Sequence, residues 1–245
     1  MQPEGLFKIL DSVDSTNNYA MAKAHEGLAK HGMCWFAELQ TAGKGQRGRT
    51  WSGVAKENIA MSIVLQPHFL HLRHHFALSM AVSLAAYDLI KHFSPVEMKI
   101  KWPNDLYWCD RKAGGILIEN IIQGNSWKWA VAGIGININQ LEFDPSLSNP
   151  VSIKQLTGRP HDVLALAKNL HEYIMQRFET LKLMDIRRLC NEYNQHLYKA
   201  GCQVRLKKGN MTFETTIKEV TPAGRLVTVD SIERQFDFGE VEWIP

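Results

Sequence analysis

Apolar and polar residues alternate along Phe7-Lys8-Ile9-Leu10-Asp11-Ser12-Val13 well enough to predict a strand. Asp14, Ser15, Thr16 and Asn17 then supply small polar side chains suited to the start of a helix, because their oxygens can accept the free N–H groups of a first turn. That helix is predicted to run to about Ala29, and His31-Gly32 ends it. Met33 to Leu39 and Asn58 to Gln66 are apolar runs of strand length. Phe76 to Phe93, rich in alanine, leucine and methionine with no internal Pro or Gly, predicts a strong helix.

Met98-Lys99-Ile100-Lys101-Trp102 alternates as a strand and stops at Pro103, which cannot donate to a ladder. Asn104-Asp105 makes a turn, Leu106 to Cys109 a short strand, and Asp110-Arg111-Lys112 a second turn. Gly114 to Ile122 and Trp127 to Ile138 are predicted to pair through Gln123-Gly124-Asn125-Ser126. Consecutive hairpins of this kind predict an α+β fold on a mixed or antiparallel sheet, not a doubly wound parallel one. Asn139 to Pro150 reads as an irregular loop, Ser152 to Leu156 as a short helix, and Asp162 as the cap of a long helix to Leu183. A further helix spans about Asp185 to Tyr198. Beyond Ala200-Gly201 the pattern changes to short strands at Val204–Leu206, Phe213–Val220, Arg225–Val229 and Arg234–Phe238, which suit a small barrel. The predicted division is therefore 1–198 and 199–245.

Composition narrows this picture without naming a function. A hydrophobic fraction of 45% and a charged fraction of 22% over 245 residues describe a folded chain with a real core. The net charge of +3 is too mild to argue for nucleic acid. No apolar run approaches the roughly 18 residues that a membrane helix needs. Met-Gln-Pro-Glu-Gly has neither the basic flank nor the apolar core of an export signal, so a cytoplasmic protein is expected. Four scattered cysteines without a Cys-x-x-Cys pair predict neither disulfides nor a cysteine metal site. His71 and His75 stand at helical spacing, but no acidic partner or third ligand accompanies them, so a solvated helix start is favoured over zinc.

The stretch with the strongest chemistry is Gly43-Lys44-Gly45-Gln46-Arg47-Gly48-Arg49-Thr50-Trp51, set between two apolar strands. Its glycines fit both the dinucleotide fingerprint and, nearly, a P-loop. Both motifs need the glycines to open a helix whose N-terminus holds the phosphates. Trp51-Ser52-Gly53-Val54 and another strand follow instead, so both are rejected. What remains is a cationic lid, suited to offsetting negative charge on a phosphorylated small molecule.

A second cluster joins it. Lys101-Trp102-Pro103-Asn104-Asp105 is followed by Arg111-Lys112-Ala113-Gly114-Gly115-Ile116-Leu117-Ile118-Glu119 and by Gly133-Ile134-Gly135-Ile136-Asn137. With Ser15-Thr16-Asn17 and the glycine loop, in this order and spacing, the chain resembles the biotin protein ligases from about residue 8 to residue 140. The resemblance implies a catalytic domain of the class II aminoacyl-tRNA-synthetase-like type followed by an SH3-like barrel. It implies a two-step reaction with ATP, biotin and Mg2+, in which biotinyl-5'-AMP forms with release of pyrophosphate and then biotinylates a lysine of a biotin carboxyl carrier protein. The same resemblance implies the site roles. Ser15, Thr16 and Gln40 match polar residues that read biotin's neutral ureido ring, which needs directed hydrogen bonds. Gly43 and Lys44 begin the loop over biotin and the phosphates, Arg47 and Arg49 match phosphate-side cations, and Trp51 matches an aromatic that stacks on adenine. Lys112 matches the cation that bridges biotin's carboxylate and the α-phosphate, with Arg47 assisting. Asp105 matches an acidic group near the incoming amine, Gly115 a strand lying against biotin, and Asn137 a polar contact to the nucleotide. No protein ligand for a metal is identifiable.

Two departures from the family pattern carry expectations. The bacterial loop typically reads Gly-Arg-Gly-Arg-Arg-Gly-Arg, whereas this chain has Lys44 and Gln46, so a lost cation should let biotinyl-AMP leak faster. The motifs begin by residue 8, leaving no room for the N-terminal helix-turn-helix of repressor members, so no specific DNA binding is expected; with no membrane-length apolar run, no membrane association is expected either, and a homodimer is admitted. The rivals are a lipoate or other acyl-acid ligase of the same fold, a basic nucleic-acid-binding protein, and a catalytically dead carrier-binding module.

Overall fold

The computed structural model describes residues 5–244 except Pro95, Asn125 and Ser148. Strand β1 (Phe7–Val13) leads through α1 (Thr16–His25) to β2 (Cys34–Gln40), which it joins in parallel. The glycine stretch forms a small hairpin of β3 (Gly43–Lys44) and β4 (Thr50–Trp51) around a single 3-10 turn at Gln46–Gly48. β5 (Asn58–Leu65), α2 (His75–Ile90), β6 (Met98–Lys101), β7 (Asp105–Trp108), β8 (Arg111–Gln123) and β9 (Ser126–Asn137) follow. Then come α3 (Ile153–Thr157), α4 (Val163–Leu181) and α5 (Ile186–Gln195), and the antiparallel strands β10 (Gln203–Lys208), β11 (Met211–Val220), β12 (Leu226–Val229), β13 (Glu233–Phe236) and β14 (Glu242–Ile244).

The main sheet has seven strands in the order β1-β2-β5-β9-β8-β7-β6, with every pair antiparallel except β1 and β2. It is a mixed sheet in an α+β fold, as the sequence predicts. Its central strands read as unbroken apolar runs because both faces are covered. Ile59, Met61, Ile63 and Leu65 of β5 join the core under α2, α4 and α5, while Val64 faces the other way, with Trp35 and Val131, onto Ala20 and Ala24 of α1. Alternate residues thus feed two cores on opposite sides of one sheet.

Local signals explain most boundaries. α1 stops four residues before the predicted end because Gly27 (φ +73°) takes the left-handed conformation that closes a helix: Leu28 N–H donates to Lys23 O and Gly27 N–H to Ala24 O. Ser152 and Gln155 form a reciprocal capping box on α3, and Asp162 and Asp185 cap α4 and α5. His71 accepts from the Arg73 N–H at 3.3 Å and His75 lies 3.1 Å from Leu72 O, so both serve the start of α2. The predicted turn at Asp110-Arg111-Lys112 is tighter than expected. Only Cys109 and Asp110 turn, Trp108 pairs with Arg111, and Lys112 lies within β8. Asn125, in the turn predicted between β8 and β9, lies outside the described residues.

The five C-terminal strands run β13-β12-β11-β10-β14, and β14 lies outside the four strand ranges read from the sequence. Their buried Leu206, Ile217, Val220, Leu226 and Phe236 are continuous with the main core. Polar contacts reinforce the junction. The Trp102 indole N–H donates to Gly224 O at 2.9 Å, and Asn194 exchanges two hydrogen bonds with the Val220 backbone.

Candidate functional site

Cross-strand register decides where chemistry gathers. Lys101 pairs with Asp105, Asp105 with Gly115, Gly115 with Gly135, and Gly135 with Ala60. Directly opposed residues share a face, so this row lies on one side of the sheet. The next row on that side runs Leu117, Gly133, Ser62, Trp35. Three glycines there remove the side chains that would fill the face. A Cβ at Gly133 would fall on the Asn17 carboxamide, one at Gly135 on the Trp51 indole, and one at Gly115 would lie 3.2 Å from Asp105 Oδ1 and 3.4 Å from Lys112 Nζ. The result is a cleft of about 1170 Å³ between the sheet, the β3–β4 hairpin and the C-terminal strands. That is enough for a ligand of nucleotide size.

One end of the cleft is neutral and closely hydrogen-bonded. Ser15 occupies the N-cap of α1, but its side chain makes no capping bond, and it lines the cleft while only 1% exposed. Thr16 donates its N–H and its hydroxyl to Gln40 Oε1 at 2.8 and 2.9 Å. The oxygen of the Gln40 carboxamide is thereby committed, leaving the NH2 group, beside Gly43, as the donor it can offer a ligand. The Ser62 hydroxyl lies 2.8 Å from Thr16 Oγ1 and 2.6 Å from Asn17 Oδ1, and can donate to either. Asn17 in turn donates to Glu119 Oε2 at 2.8 Å, and Glu119 Oε1 faces Lys44 Nζ at 3.9 Å.

The middle of the cleft holds Lys112 Nζ and Asp105 Oδ1 at 2.7 Å, beside Gly115. Asn104 donates to the Ile116 carbonyl, which also accepts from Gln46 Nε2 at 3.4 Å. The glycine hairpin is thus closed onto β8 through its one neutral long side chain. Asn137, 5% exposed, spends its donor on Lys112 O at 3.4 Å and Val151 O at 3.1 Å, which anchors the backbone that carries Lys112 and leaves Oδ1 for a ligand.

The far end is cationic. Arg47 and Arg49 line it with no carboxylate partner among the described residues. Arg47, in the left-handed region at φ 55°, reaches across to Gly239 O at 3.4 Å in the turn between β13 and β14. Lys101 lies beneath three aromatic rings there. Trp51 half-covers the junction between the cationic end and the bare Gly135.

The sequence-predicted residues Ser15, Thr16, Gln40, Lys44, Arg47, Arg49, Trp51, Asp105, Lys112, Gly115 and Asn137 all line this one cleft, and Gly43 stands behind its rim, with Gln40 and Trp51. Sequence reasoning missed Ser62, Asn17, Glu119, Gly133 and Gly135 as parts of the site. The alternation Gly133-x-Gly135-x-Asn137 was the available signal for the last two, since three small or polar residues at period two in an apolar strand vacate one face.

Residues 9–137, just over half of the chain, match the biotin/lipoate A/B protein ligase family. The chain belongs to that family. Among curated relatives, it is 32% identical over 149 residues to the bifunctional ligase/repressor BirA of Escherichia coli (strain K12), covering 59% of this chain and 44% of that protein. It is 35% identical over 161 residues to the biotin–[acetyl-CoA-carboxylase] ligase of Paracoccus denitrificans, covering 63% of this chain and 65% of that one. The first-ranking curated relatives are matched over 44% to 63% of their own length. In fold, the chain superposes on biotin protein ligase from Aquifex aeolicus in complex with biotin and ATP with a TM-score of 0.82, at 21% identity over 98% of this chain and 99% of that one. No helix among the described residues is long and apolar enough to cross a membrane.

Proposed function

We propose that the chain is an ATP-dependent biotin protein ligase that forms biotinyl-5'-AMP and transfers biotin to a lysine of a biotin carboxyl carrier protein in the cytoplasm. The observation that carries this reading is the Lys112–Asp105 pair, 2.7 Å apart, standing between a neutral hydrogen-bonding pocket and a set of unpaired cations. A ligand with a neutral polar head and a carboxylate tail, joined there to a nucleotide, matches that sequence of environments. Relatives named as biotin ligases and a like-folded ligase described with biotin and ATP support the same choice.

In the first step, a carboxylate oxygen of biotin attacks the α-phosphorus of ATP, and the bond to the β-phosphate oxygen breaks, releasing pyrophosphate. Two anions must meet, so a cation between them lowers the barrier. Lys112 is that cation, and drawing it toward the two anions frees Asp105 from its ion pair. In the second step, the acceptor lysine amine attacks the acyl carbon, AMP leaves, and Asp105 takes or orients the amine proton. At the neutral end, the Gln40 NH2 group donates to the ureido carbonyl. Ser15 and the pocket's remaining hydroxyls complete the set. Trp51 offers a face to adenine over Gly135, with Asn137 Oδ1 toward the base. Arg47 and Arg49 surround the phosphates, and Lys44 reaches toward them from the neutral end.

Mg2+ would enter with ATP. Among the described residues no three His, Cys, Asp or Glu side chains converge on one point, and Asp105, Asp110 and Glu119 each face a lysine. The residues therefore fit an ion held mainly by phosphate oxygens. We read residues 1–198 as the catalytic domain, of class II aminoacyl-tRNA-synthetase-like type, and 199–245 as an SH3-like barrel, on the change at residue 198 to short antiparallel strands.

Incubation with biotin, MgATP and a biotin carrier domain tests the proposal, with Lys112→Ala as control. Carrier biotinylated by wild type and not by the variant is the expected result, and an unmodified carrier with wild type would overturn it. A lipoate ligase is the second reading, since the family includes both. The committed orientation of Gln40 favours a ureido ring over a dithiolane, which offers no carbonyl. Direct binding of biotin against lipoate decides between them.

A further inference from the structure

Lys101 is the cleft cation whose surroundings the two-step reading leaves unexplained. Its ammonium lies 4.6 Å from the ring centre of Tyr107, 4.9 Å from that of Trp243 and 5.6 Å from that of Tyr198. The rings touch one another, Tyr107 to Tyr198 at 5.0 Å and Tyr198 to Trp243 at 5.8 Å. Its one polar partner among the described residues is the Tyr107 hydroxyl at 3.3 Å. Lys44, Lys112, Lys199 and Arg205, which also line the cleft, each face a carboxylate, whereas Lys101 has none within ion-pair distance among the described residues.

A partly buried ammonium without a counter-ion is an expensive arrangement. Aromatic faces offset part of the cost of desolvating a cation but bring no negative charge to neutralise it. Burial accordingly pulls Lys101 below the ordinary lysine range, with nearby Asp105 acting against it. Beside it, the Trp243 indole N–H is buried without a partner. The ammonium has donors beyond the one spent on Tyr107, and this uncompensated charge among the rings is a place prepared for an anion.

Register gives that place an address. Lys101 ends the row that begins at Gly135 under the Trp51 indole and passes Gly115 and the Lys112–Asp105 pair. β6, which carries Lys101, is two strands from β8, which carries Lys112, a spacing of roughly 10 Å that two long side chains can close upon a chain of phosphates. On the ligase reading, which this inference deepens, adenine lies at Trp51 and the reacting α-phosphate at Lys112. The row then leads the β- and γ-phosphates toward Lys101.

We propose that Lys101, held by the Tyr107, Tyr198 and Trp243 rings, binds the pyrophosphate end of ATP and receives the leaving group of the first step. When the bond between the α-phosphorus and the bridging oxygen breaks, that oxygen departs with the electron pair, and the new negative charge on pyrophosphate forms beside the Lys101 ammonium. Trp243 belongs to β14 of the C-terminal sheet. That sheet therefore completes the nucleotide site and has a specific use in adenylation.

The experiment separates the half-reactions in the full chain. Lys101→Met should raise the KM for ATP and slow biotinyl-AMP formation by about 10- to 100-fold, the scale of one lost charge-assisted contact. Transfer from presynthesised biotinyl-AMP to a carrier domain, which involves no pyrophosphate, should stay within about two-fold of wild type. Lys101→Arg should recover part of the first rate, and Trp243→Leu should lose part of it. Biotin binding and the thermal midpoint serve as folding controls. Equal loss in both half-reactions, or an unchanged first step, would overturn the proposal. Should wild type form no biotinyl-AMP, the ligase reading fails, but inorganic pyrophosphate still reads this site. Binding weakened by Lys101→Met would support the anion site, and unchanged binding would overturn it.

Discussion

The two ends of the cleft solve opposite problems. At the α1 end, Thr16, Gln40, Ser62, Asn17 and Glu119 satisfy one another through bonds of 2.6 to 2.9 Å, and the one cation there among the described residues, Lys44, faces Glu119. At the other end, Arg47, Arg49 and Lys101 stand without carboxylates among the described residues. A satisfied neutral network fixes donor and acceptor directions in advance, which suits recognition of an uncharged head group. Unpaired cations leave their charge to the ligand, which suits phosphates that differ little in shape but much in charge. Lys112 and Asp105 sit where the two environments meet, which is where the proposed function would have an anhydride between carboxylate and phosphate form.

The largest expected effect comes from breaking the junction. Lys112→Ala should lower the rate of biotinyl-AMP formation on the order of 10²- to 10³-fold in a pyrophosphate-exchange assay, the scale of a lost transition-state cation. Gln40→Glu tests the neutral end alone. One carboxylate oxygen can still take the Thr16 donors, but the other opposes a ureido carbonyl, so biotin should bind about 10- to 100-fold more weakly in calorimetry. ATP binding should hold. Gly135→Val tests the other floor. Overpacking costs about 1–3 kcal/mol, and the strand cannot yield, so the displaced Trp51 should raise the ATP KM roughly 10-fold while biotin binding survives.

Smaller effects sharpen the contrast. Gln46→Arg adds a cation but exchanges the amide contact to Ile116 O. At 3.4 Å that contact is weak, so the charge should dominate and biotinyl-AMP should dissociate roughly 3-fold more slowly in a chase experiment. Equal or faster dissociation would assign retention to the amide. The least effect concerns pH. The Lys199 ammonium, and then the Tyr198 hydroxyl, hold the Asp110 carboxyl below its usual value of 3.8. A carboxyl with a depressed native pKa contributes stability that is present above its unfolded value and lost as pH falls through the native one. The link between the β7–β8 turn and the C-terminal strands should therefore hold from neutrality to about pH 4 and loosen below it. Asp110→Asn should abolish that acid-dependent part of the unfolding midpoint and change little at pH 7.

Much of the fold was legible because its signals are local. The caps at Asp162 and Asp185, the stop at Pro103 and the apolar runs of β2, β5 and β9 each depend on neighbours within a few residues. Errors arose where a tertiary partner decided the outcome. β14 is three residues long, with too little sequence to show a period, and exists because β10 offers it a ladder. Lys112 looked like a turn residue, but pairing of Trp108 with Arg111 carried it into β8.

For the site, the sequence by itself determined which residue types are present, in what order, and which helix-opening phosphate motifs they cannot form. It also carried the glycine hairpin and the Lys101 to Glu119 cluster that mark the family. Only the tertiary structure decided that Gly115 and Gly135 oppose each other, that Ser62 joins Thr16 to Asn17, and that the distant rings of Tyr198 and Trp243 join Tyr107 around Lys101. Pattern along a strand reveals which face a residue takes, with period two. It cannot reveal which residue of another strand stands opposite, because register depends on the whole sheet. The chemistry proposed here lies along one such cross-strand row.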